Sequence, residues 1–162
     1  MAKAFDWLRG ALWLLPLIAQ AQALPRLEQP IEPEVPLPGL DRSHLVPFKV
    51  PGPGTLQYEI DAGNITVTPD GEVRYVVVAR SGDMRNVFFE GLKCAIAQYR
   101  TYARHDGQKW VRVDAAAWVE LADSRARHPA VLARQVFCEG LTLRGDAFRI
   151  ARSLRYPTTP YF

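Results

Sequence analysis

The stretch "EVRYVVVARSGDMRNVFFEGLKC", residues 72–94, decides the fold. It contains the run Tyr75–Ala79, which is apolar at every position and therefore predicts a central β-strand covered on both faces. The polar residues "SGDMRN", 81–86, predict a turn, and "NVFFEGL", 86–92, predicts the next strand. We therefore expect two neighbouring strands at the centre of a sheet.

Shorter strands are predicted on both sides of this stretch. The segment "TLQYEI", 55–60, alternates apolar and polar residues, and Ile65–Thr68 is followed by the turn residues Pro69-Asp70-Gly71. Alternation returns in "AIAQYRTYARH", 95–105, and "KWVRVD", 109–114, predicts a further strand. The pattern is typical of an antiparallel meander of about five strands.

The last third of the chain has helical signals. In "RHPAVLARQVFCEG", 127–140, Pro129 suits a first helical position. In "GDAFRIARSLRYP", 145–157, Asp146 is a predicted N-cap and Pro157 a predicted terminator. The predicted fold class is therefore α+β, with two C-terminal helices packed on one face of the sheet.

The first 23 residues have the order of a secretory signal peptide. The first ten residues, "MAKAFDWLRG", contain the basic residues Lys3 and Arg9, and the apolar run "ALWLLPLIA" follows. The small residues Ala21 and Ala23 suit cleavage after residue 23. The apolar run is short for a bilayer crossing, and no cysteine near the cleavage point offers a site for a lipid. We expect an exported protein with no membrane span after signal removal, and a retained membrane anchor is the alternative.

Residues 24–53 form a proline-rich segment that we call the arm. It holds eight of the thirteen prolines, a spacing that excludes helix and favours extended chain. The second half, with "HLVPFKV", 44–50, is apolar enough to dock partly on the domain, whereas the first half is expected to be disordered. Residues 54–162 are then predicted to form a single α+β domain.

Cys94 and Cys138 are the two cysteines of the chain. An exported protein meets an oxidising compartment, and two cysteines allow one intramolecular disulfide. The alternative, a nucleophilic Cys94, needs an activating neighbour, and His44, His105 and His128 form no recognisable signature with it. These scattered cysteines and histidines also lack the spacing of a metal site, and no motif indicates a cofactor.

Glu90 is the candidate functional carboxylate, because it follows two phenylalanines on a strand predicted to be apolar. One interpretation is a buried pair with Arg80 or Arg100 that stabilises the strand register. The other is a ligand-anchoring or acid–base carboxylate. Gly91, the next residue, is a candidate bulge position that redirects the strand.

A candidate binding surface lies around the predicted hairpin, where Arg100, Tyr102, Trp110 and Arg112 alternate aromatic rings with cations. Core packing is the competing interpretation of these aromatic residues. Such a surface suits glycans or single-stranded nucleic acid, and export argues against nucleic acid.

Arginines accumulate after Leu121, and the formal net charge of the whole chain is +3. Either they form a solvated helical face or they form a surface for an anionic partner. The positions concerned are Arg125, Arg127, Arg134, Arg144, Arg149, Arg152 and Arg155.

Several of these segments together resemble the cryptic neisserial protein-like family of exported bacterial proteins. The resemblance spans roughly residues 35–142 and rests on "DGEVRYVVVARS", "RNVFFEGLKC", "YRTYA" and the "FC" that ends a predicted helix. It implies a one-domain envelope or periplasmic protein of Gram-negative bacteria, supports the pairing of Cys94 with Cys138, and carries no activity.

These observations predict a non-enzymatic envelope module that binds a protein or an envelope polymer. The alternative is a small periplasmic hydrolase that uses Glu90 with His105 or an arginine. The sequence does not define the oligomeric state.

Overall fold

The structure is a computed structural model that describes residues 34–52, 55–114 and 117–156. The described residues from Glu34 onward belong to one compact unit. The predicted signal peptide, residues 1–23, and the start of the arm lie outside the described residues.

The centre of the fold is the predicted pair of strands, which forms a long antiparallel hairpin. Strand β4 spans Glu72–Ser81 and strand β5 spans Met84–Lys93. Tyr75 lies opposite Glu90, and Val76 opposite Phe89. Val76 and its neighbours are fully buried because both faces of this hairpin are covered.

Six further strands complete the sheet. They are β1 (Leu45–Phe48), β2 (Gln57–Asp61), β3 (Thr66–Val67), β6 (Gln98–His105), β7 (Trp110–Arg112) and β8 (Val119–Glu120). Their order is β1-β2-β4-β5-β6-β7, with β3 paired to β4 and β8 to β6. All pairs are antiparallel, as predicted, and the eight strands make the sheet larger than the predicted meander of about five strands.

Helices cover one side of the sheet, which we call the helix-covered face. Helix α1 (His128–Leu132) begins next to Pro129 and continues into a π-helical turn, Ala133–Phe137. Helix α2 spans Ala147–Arg155, and Asp146 Oδ1 accepts a hydrogen bond from the Arg149 amide at 2.8 Å, as expected for an N-cap. The predicted α+β class with two C-terminal helices is confirmed.

The core of this face is formed by sheet and helix side chains that are almost fully buried. It includes Val73, Tyr75, Val77 and Leu92 from the sheet, and Leu132, Phe137, Ile150 and Leu154 from the helical segments.

The arm covers the other side of the sheet, which we call the arm-covered face. Val35 is buried against Val76, Val78 and Phe89, and Leu37 and Leu40 pack beside it. The expectation that the first half of the arm is disordered is therefore wrong for the residues from Glu34 onward. An apolar sheet face needs a cover, and residues 34–40 supply it. The second half docks as β1, which pairs with β2.

A bulge interrupts the pairing of β5 with β6. Phe89 lies opposite Ala103, whereas Glu90 lies opposite Thr101, so Tyr102 is an extra residue on β6. Tyr102 and Ala103 both belong to the cluster of the arm-covered face, which means that the alternation of side chains reverses at this point. The reversal decides which face His105 occupies.

The predicted disulfide is confirmed. Cys94 opens a short 3₁₀ turn after β5, and Cys138 begins β9 (Cys138–Glu139), which pairs with β10 (Thr142–Leu143). Their sulfur atoms are 2.00 Å apart and their Cα atoms 5.7 Å apart. The bond therefore joins the end of the central hairpin to the end of the helical segment that covers it.

Candidate functional site

Glu90, the predicted functional carboxylate, lies inside the helix-covered face and is 2% exposed. His128, the first residue of α1, is 4% exposed and places Nε2 3.0 Å from Glu90 Oε2 and 3.1 Å from Oε1. Both distances are within hydrogen-bonding range, and the tautomer of His128 decides which of the two residues donates. Thr101 Oγ1 lies 3.5 Å from Oε1, at the limit of hydrogen bonding.

Aromatic rings enclose the pair of Glu90 and His128. The His128 ring stacks on Tyr58 at a centroid distance of 5.3 Å and faces Phe88 at 6.3 Å. The buried Tyr75 hydroxyl approaches the carboxylate without reaching hydrogen-bond geometry. Burial, together with the Glu90 charge, raises the pKa of Tyr75 well above its ordinary value.

The expected partners of Glu90 lie elsewhere. Arg80 Nη2 bonds Glu59 Oε1 at 2.5 Å, and Arg100 Nη2 donates to the Tyr102 hydroxyl at 2.7 Å on the arm-covered face. The β6 bulge sends His105 to that face as well, where it packs against Trp110. The hydrolase hypothesis requires His105 or an arginine beside Glu90, and the structure places none of His105, Arg80 and Arg100 there.

Two of the four predicted surface residues hold the arm. Trp110 Nε1 donates to the Pro38 carbonyl at 2.8 Å, and Arg112 Nη1 donates to the Val35 carbonyl at 3.0 Å. Arg112 Nε also pairs with Glu34 Oε1 at 2.6 Å. The bonds to Pro38 and Val35 go to main-chain carbonyls, which extended proline-containing chain leaves without partners.

The other two surface residues, Arg100 and Tyr102, are buried in a polar layer. The Tyr102 hydroxyl donates to Glu72, which also pairs with Arg74. The Arg100 guanidinium lies 4.4 Å from the Tyr102 ring centroid and 4.6 Å from that of Trp118, so it is held between two rings. The predicted surface is thus largely occupied by the chain itself.

An open groove lies beside the end of β1. It comprises two adjoining cavities of about 590 and 250 Å³. They share the lining residues Val50, Pro51, Gly52, Leu56 and Tyr58, and we call them together the Tyr58 groove. Neither cavity is lined by Glu90 or His128. Because Tyr58 lines the groove and stacks on His128, its ring separates the buried pair from the opening.

The rim of the Tyr58 groove is cationic. Lys49, Arg80, Arg125 and Arg127 line it, and Glu59 is its one described acidic residue. Glu59 is already paired with Arg80. Lys49 and Arg125 are exposed and form no ion pair within the described residues, so the groove carries uncompensated positive charge.

The sequence profile of the CNP1-like family matches residues 28–155. The chain belongs to the CNP1-like family. Neither a curated protein nor a solved structure shows significant similarity to the chain. The family name assigns no activity to this CNP1-like protein.

Within residues 34–52, 55–114 and 117–156, no three His, Cys, Asp or Glu side chains are grouped so that they would hold a metal ion. In the same ranges, every helix is too short or too polar for a membrane crossing.

Sequence reasoning missed His128 and the Tyr58 groove in this CNP1-like protein. Histidine beside proline at a helix start gives no sign that the ring turns inward, and Glu90 is 38 positions away. The groove joins residues 47–52, 56–59 and 125–127 with Arg80, and these are contiguous only in space. The single available signal was the pair Arg125 and Arg127 directly before a predicted helix.

Proposed function

We propose that this CNP1-like protein is an exported, non-enzymatic binding module of the bacterial envelope that acts in the periplasm. The disulfide suits an oxidising compartment, and the predicted signal peptide supports export. The resemblance of segments such as "RNVFFEGLKC", 85–94, to a family of exported bacterial proteins favours the same address.

The Tyr58 groove carries the proposal. Its floor is apolar and aromatic, with Val50, Leu56 and Tyr58, while Lys49 and Arg125 add uncompensated cations at the rim. Sugar rings pack on exposed aromatic and apolar surface, and guanidinium groups bind carboxylate or phosphate groups. The ligand class that this combination suits best is an anionic glycan polymer of the envelope.

Binding without catalysis is favoured by the position of the acid–base residues. A catalytic group must reach the substrate, whereas Glu90 and His128 are buried, bonded to each other and separated from the groove by Tyr58. We assign them to holding α1 against the sheet. A hydrolase built on Glu90 is therefore not part of the proposal.

The surface predicted around Arg100, Tyr102, Trp110 and Arg112 has an indirect part in this proposal. By holding the arm, it positions β1 and the residues after it, which form one wall of the groove. The arm is thereby the link between the arm-covered face and the proposed binding site.

Calorimetric titration with a hexamer of galacturonate, and with maltohexaose as the neutral control, tests the proposal. We expect the galacturonate hexamer to bind, and to bind more weakly as salt is raised, because the rim acts by charge. Maltohexaose should bind at least about tenfold more weakly.

The variant K49Q/R125Q removes two rim charges and should weaken galacturonate binding by about tenfold or more. R42Q/R85Q removes two exposed arginines outside the groove and is the matched control, with wild-type affinity expected. Equal affinity of K49Q/R125Q and wild type for galacturonate would refute the groove as the site. Binding of a glutamate-rich peptide without binding of galacturonate would assign the groove to a protein partner.

A further inference from the structure

Helix α2 presents a face to solvent that the Tyr58 groove does not explain. Phe148 is 73% exposed and Tyr156, directly after the helix, is 75% exposed. Arg149 and Arg152 are exposed between them. At 100° per residue Phe148, Arg149 and Arg152 lie within an arc of about 100°, and the buried Ile150 and Leu154 point the opposite way.

The charge of this face is one-sided. Between Ala147 and Arg155 the helix contains three arginines and no acidic residue. Asp146, the residue before it, is engaged as the N-cap. Arg149 and Arg152 form no ion pair within the described part of the chain, whereas Arg155 donates to the Ala62 carbonyl at 3.1 Å.

The two aromatic residues distinguish this face from an ordinary solvated helix. Phe148 is almost three-quarters exposed, so its ring leaves apolar surface in contact with water beside the two arginines. The buried side of α2 is already satisfied by the core, so Phe148 is not a misplaced core residue. Aromatic rings beside arginines are instead typical of protein surfaces that lie at a lipid–water interface.

We propose that the exposed face of α2 docks on an anionic phospholipid bilayer. Arg149 and Arg152 bind lipid phosphates, while the Phe148 and Tyr156 rings enter the interfacial layer. The surface is the exposed side of a helix, which fits a flat layer of headgroups better than a single small anion. This docking is independent of the Tyr58 groove and adds a second binding surface to the protein.

Sedimentation with vesicles tests the docking. The full, disulfide-bonded chain is mixed with phosphatidylcholine vesicles or with vesicles that also contain phosphatidylglycerol. We expect at least about tenfold stronger partitioning onto the phosphatidylglycerol vesicles, and a loss of that preference at high salt. Equal partitioning onto both kinds of vesicle would overturn the proposal.

Variants of the same full chain assign the binding to α2, because any contribution of residues 1–33 is then common to all samples. R149Q/R152Q should lose the preference for phosphatidylglycerol, at roughly fivefold per arginine. F148S leaves the charge unchanged and should weaken vesicle binding several-fold. R42Q/R85Q carries the same loss of charge elsewhere and should bind like wild type.

Two outcomes would contradict the proposal, and one would separate it from the groove. Wild-type partitioning by R149Q/R152Q would exclude this face. If F148S partitions like wild type, and the α2 face binds soluble polygalacturonate as strongly as it binds vesicles, the natural partner of this face is a soluble polyanion. K49Q/R125Q should keep vesicle binding, so failure of the groove proposal and failure of the bilayer proposal are distinguishable.

Discussion

Glu90 of β5 and His128 of α1 are bonded at 3.0 Å in the interior, and both side chains are almost fully buried. The bond connects the centre of the sheet to the first residue of the helical segment that covers it. Enclosed by Tyr58, Phe88 and Tyr75, the pair has no route to solvent through the Tyr58 groove. Its consequences are therefore expected in stability.

Removal of His128 should destabilise the protein strongly. H128A leaves the Glu90 carboxylate buried without its partner, a loss of about 3–5 kcal/mol in the free energy of unfolding. E90Q keeps the shape and one acceptor, and should cost less, about 1–3 kcal/mol. Urea denaturation measures both values.

The double variant E90L/H128L separates a structural pair from a functional one. Replacement of both partners by apolar side chains should recover most of the stability lost in H128A, because no buried charge remains unpaired. Galacturonate binding by this variant should also be retained. A folded double variant that cannot bind would place Glu90 in the binding function.

The disulfide between Cys94 and Cys138 should supply a large share of the net stability. It closes a loop with a sequence separation of 44, for which chain entropy gives about 4 kcal/mol. C94A/C138A should lower the free energy of unfolding by about that amount and become insensitive to reductant. Thiol titration of the denatured wild-type protein should detect no free thiol, and detection of two would contradict the bond.

Gly91 should tolerate no side chain, because the Glu72–Tyr102 layer lies directly on it. A β-carbon at this position would overlap the Glu72 carboxylate and lie 2.7 Å from Tyr102 Cε2. G91A should cost about 1–3 kcal/mol, measured by thermal or urea denaturation. Gly39 has no atom within 4 Å of its would-be β-carbon, so G39A is the control. Equal stability of G91A and wild type would contradict this prediction and would mean that Glu72 and Tyr102 move aside without cost.

The elements that local sequence signals specify were predictable. Consecutive apolar residues defined β4, and Asp146 and Pro129 marked the helix starts. The disulfide followed from the cysteine count once export was inferred. In each case the decisive residues are neighbours in the chain or have no competing partner.

The site was less predictable, because its contacts depend on spatial rather than sequential order. The bulge at Tyr102 reverses the alternation of side chains between the two faces along β6, and no residue type in this segment indicates a bulge. The proline-rich composition of the first half of the arm predicts disorder, yet residues 34–40 pack on the apolar arm-covered face of the sheet. The bond between Glu90 and His128 likewise appears only after α1 packs on the sheet.

Docking of the arm should depend on Trp110. W110F keeps the ring contact with Phe89 but loses the bond from Nε1 to the Pro38 carbonyl. We expect a loss of about 1 kcal/mol and faster amide exchange in residues 34–40, with β4 and β5 unchanged. V111T alters an exposed neighbour on the same strand and should leave exchange in the arm at the wild-type rate. Unchanged arm exchange in W110F would show that apolar contacts alone hold the arm.

Ionisation of Tyr102 should lower the free energy of unfolding at alkaline pH. Burial, and then the hydrogen bond to Glu72, raise the pKa of Tyr102 to about 12, although Arg100 acts in the opposite direction. The ordinary tyrosine pKa is about 10. The unfolded chain therefore loses this proton first, so the contribution is complete below about pH 10 and is lost as the pH rises towards about 12.

Absorbance of the phenolate follows the ionisation, and urea denaturation at about pH 9 and about pH 11 follows the stability. Wild type should show a late-ionising component that Y102F reduces, and Y102F should lose less stability between the two pH values. Y156F removes a tyrosine that is 75% exposed and is the control; it should keep the late component. The same late component in Y102F as in wild type would assign the alkaline dependence to Tyr75 or Tyr58, whose pKa values are also raised.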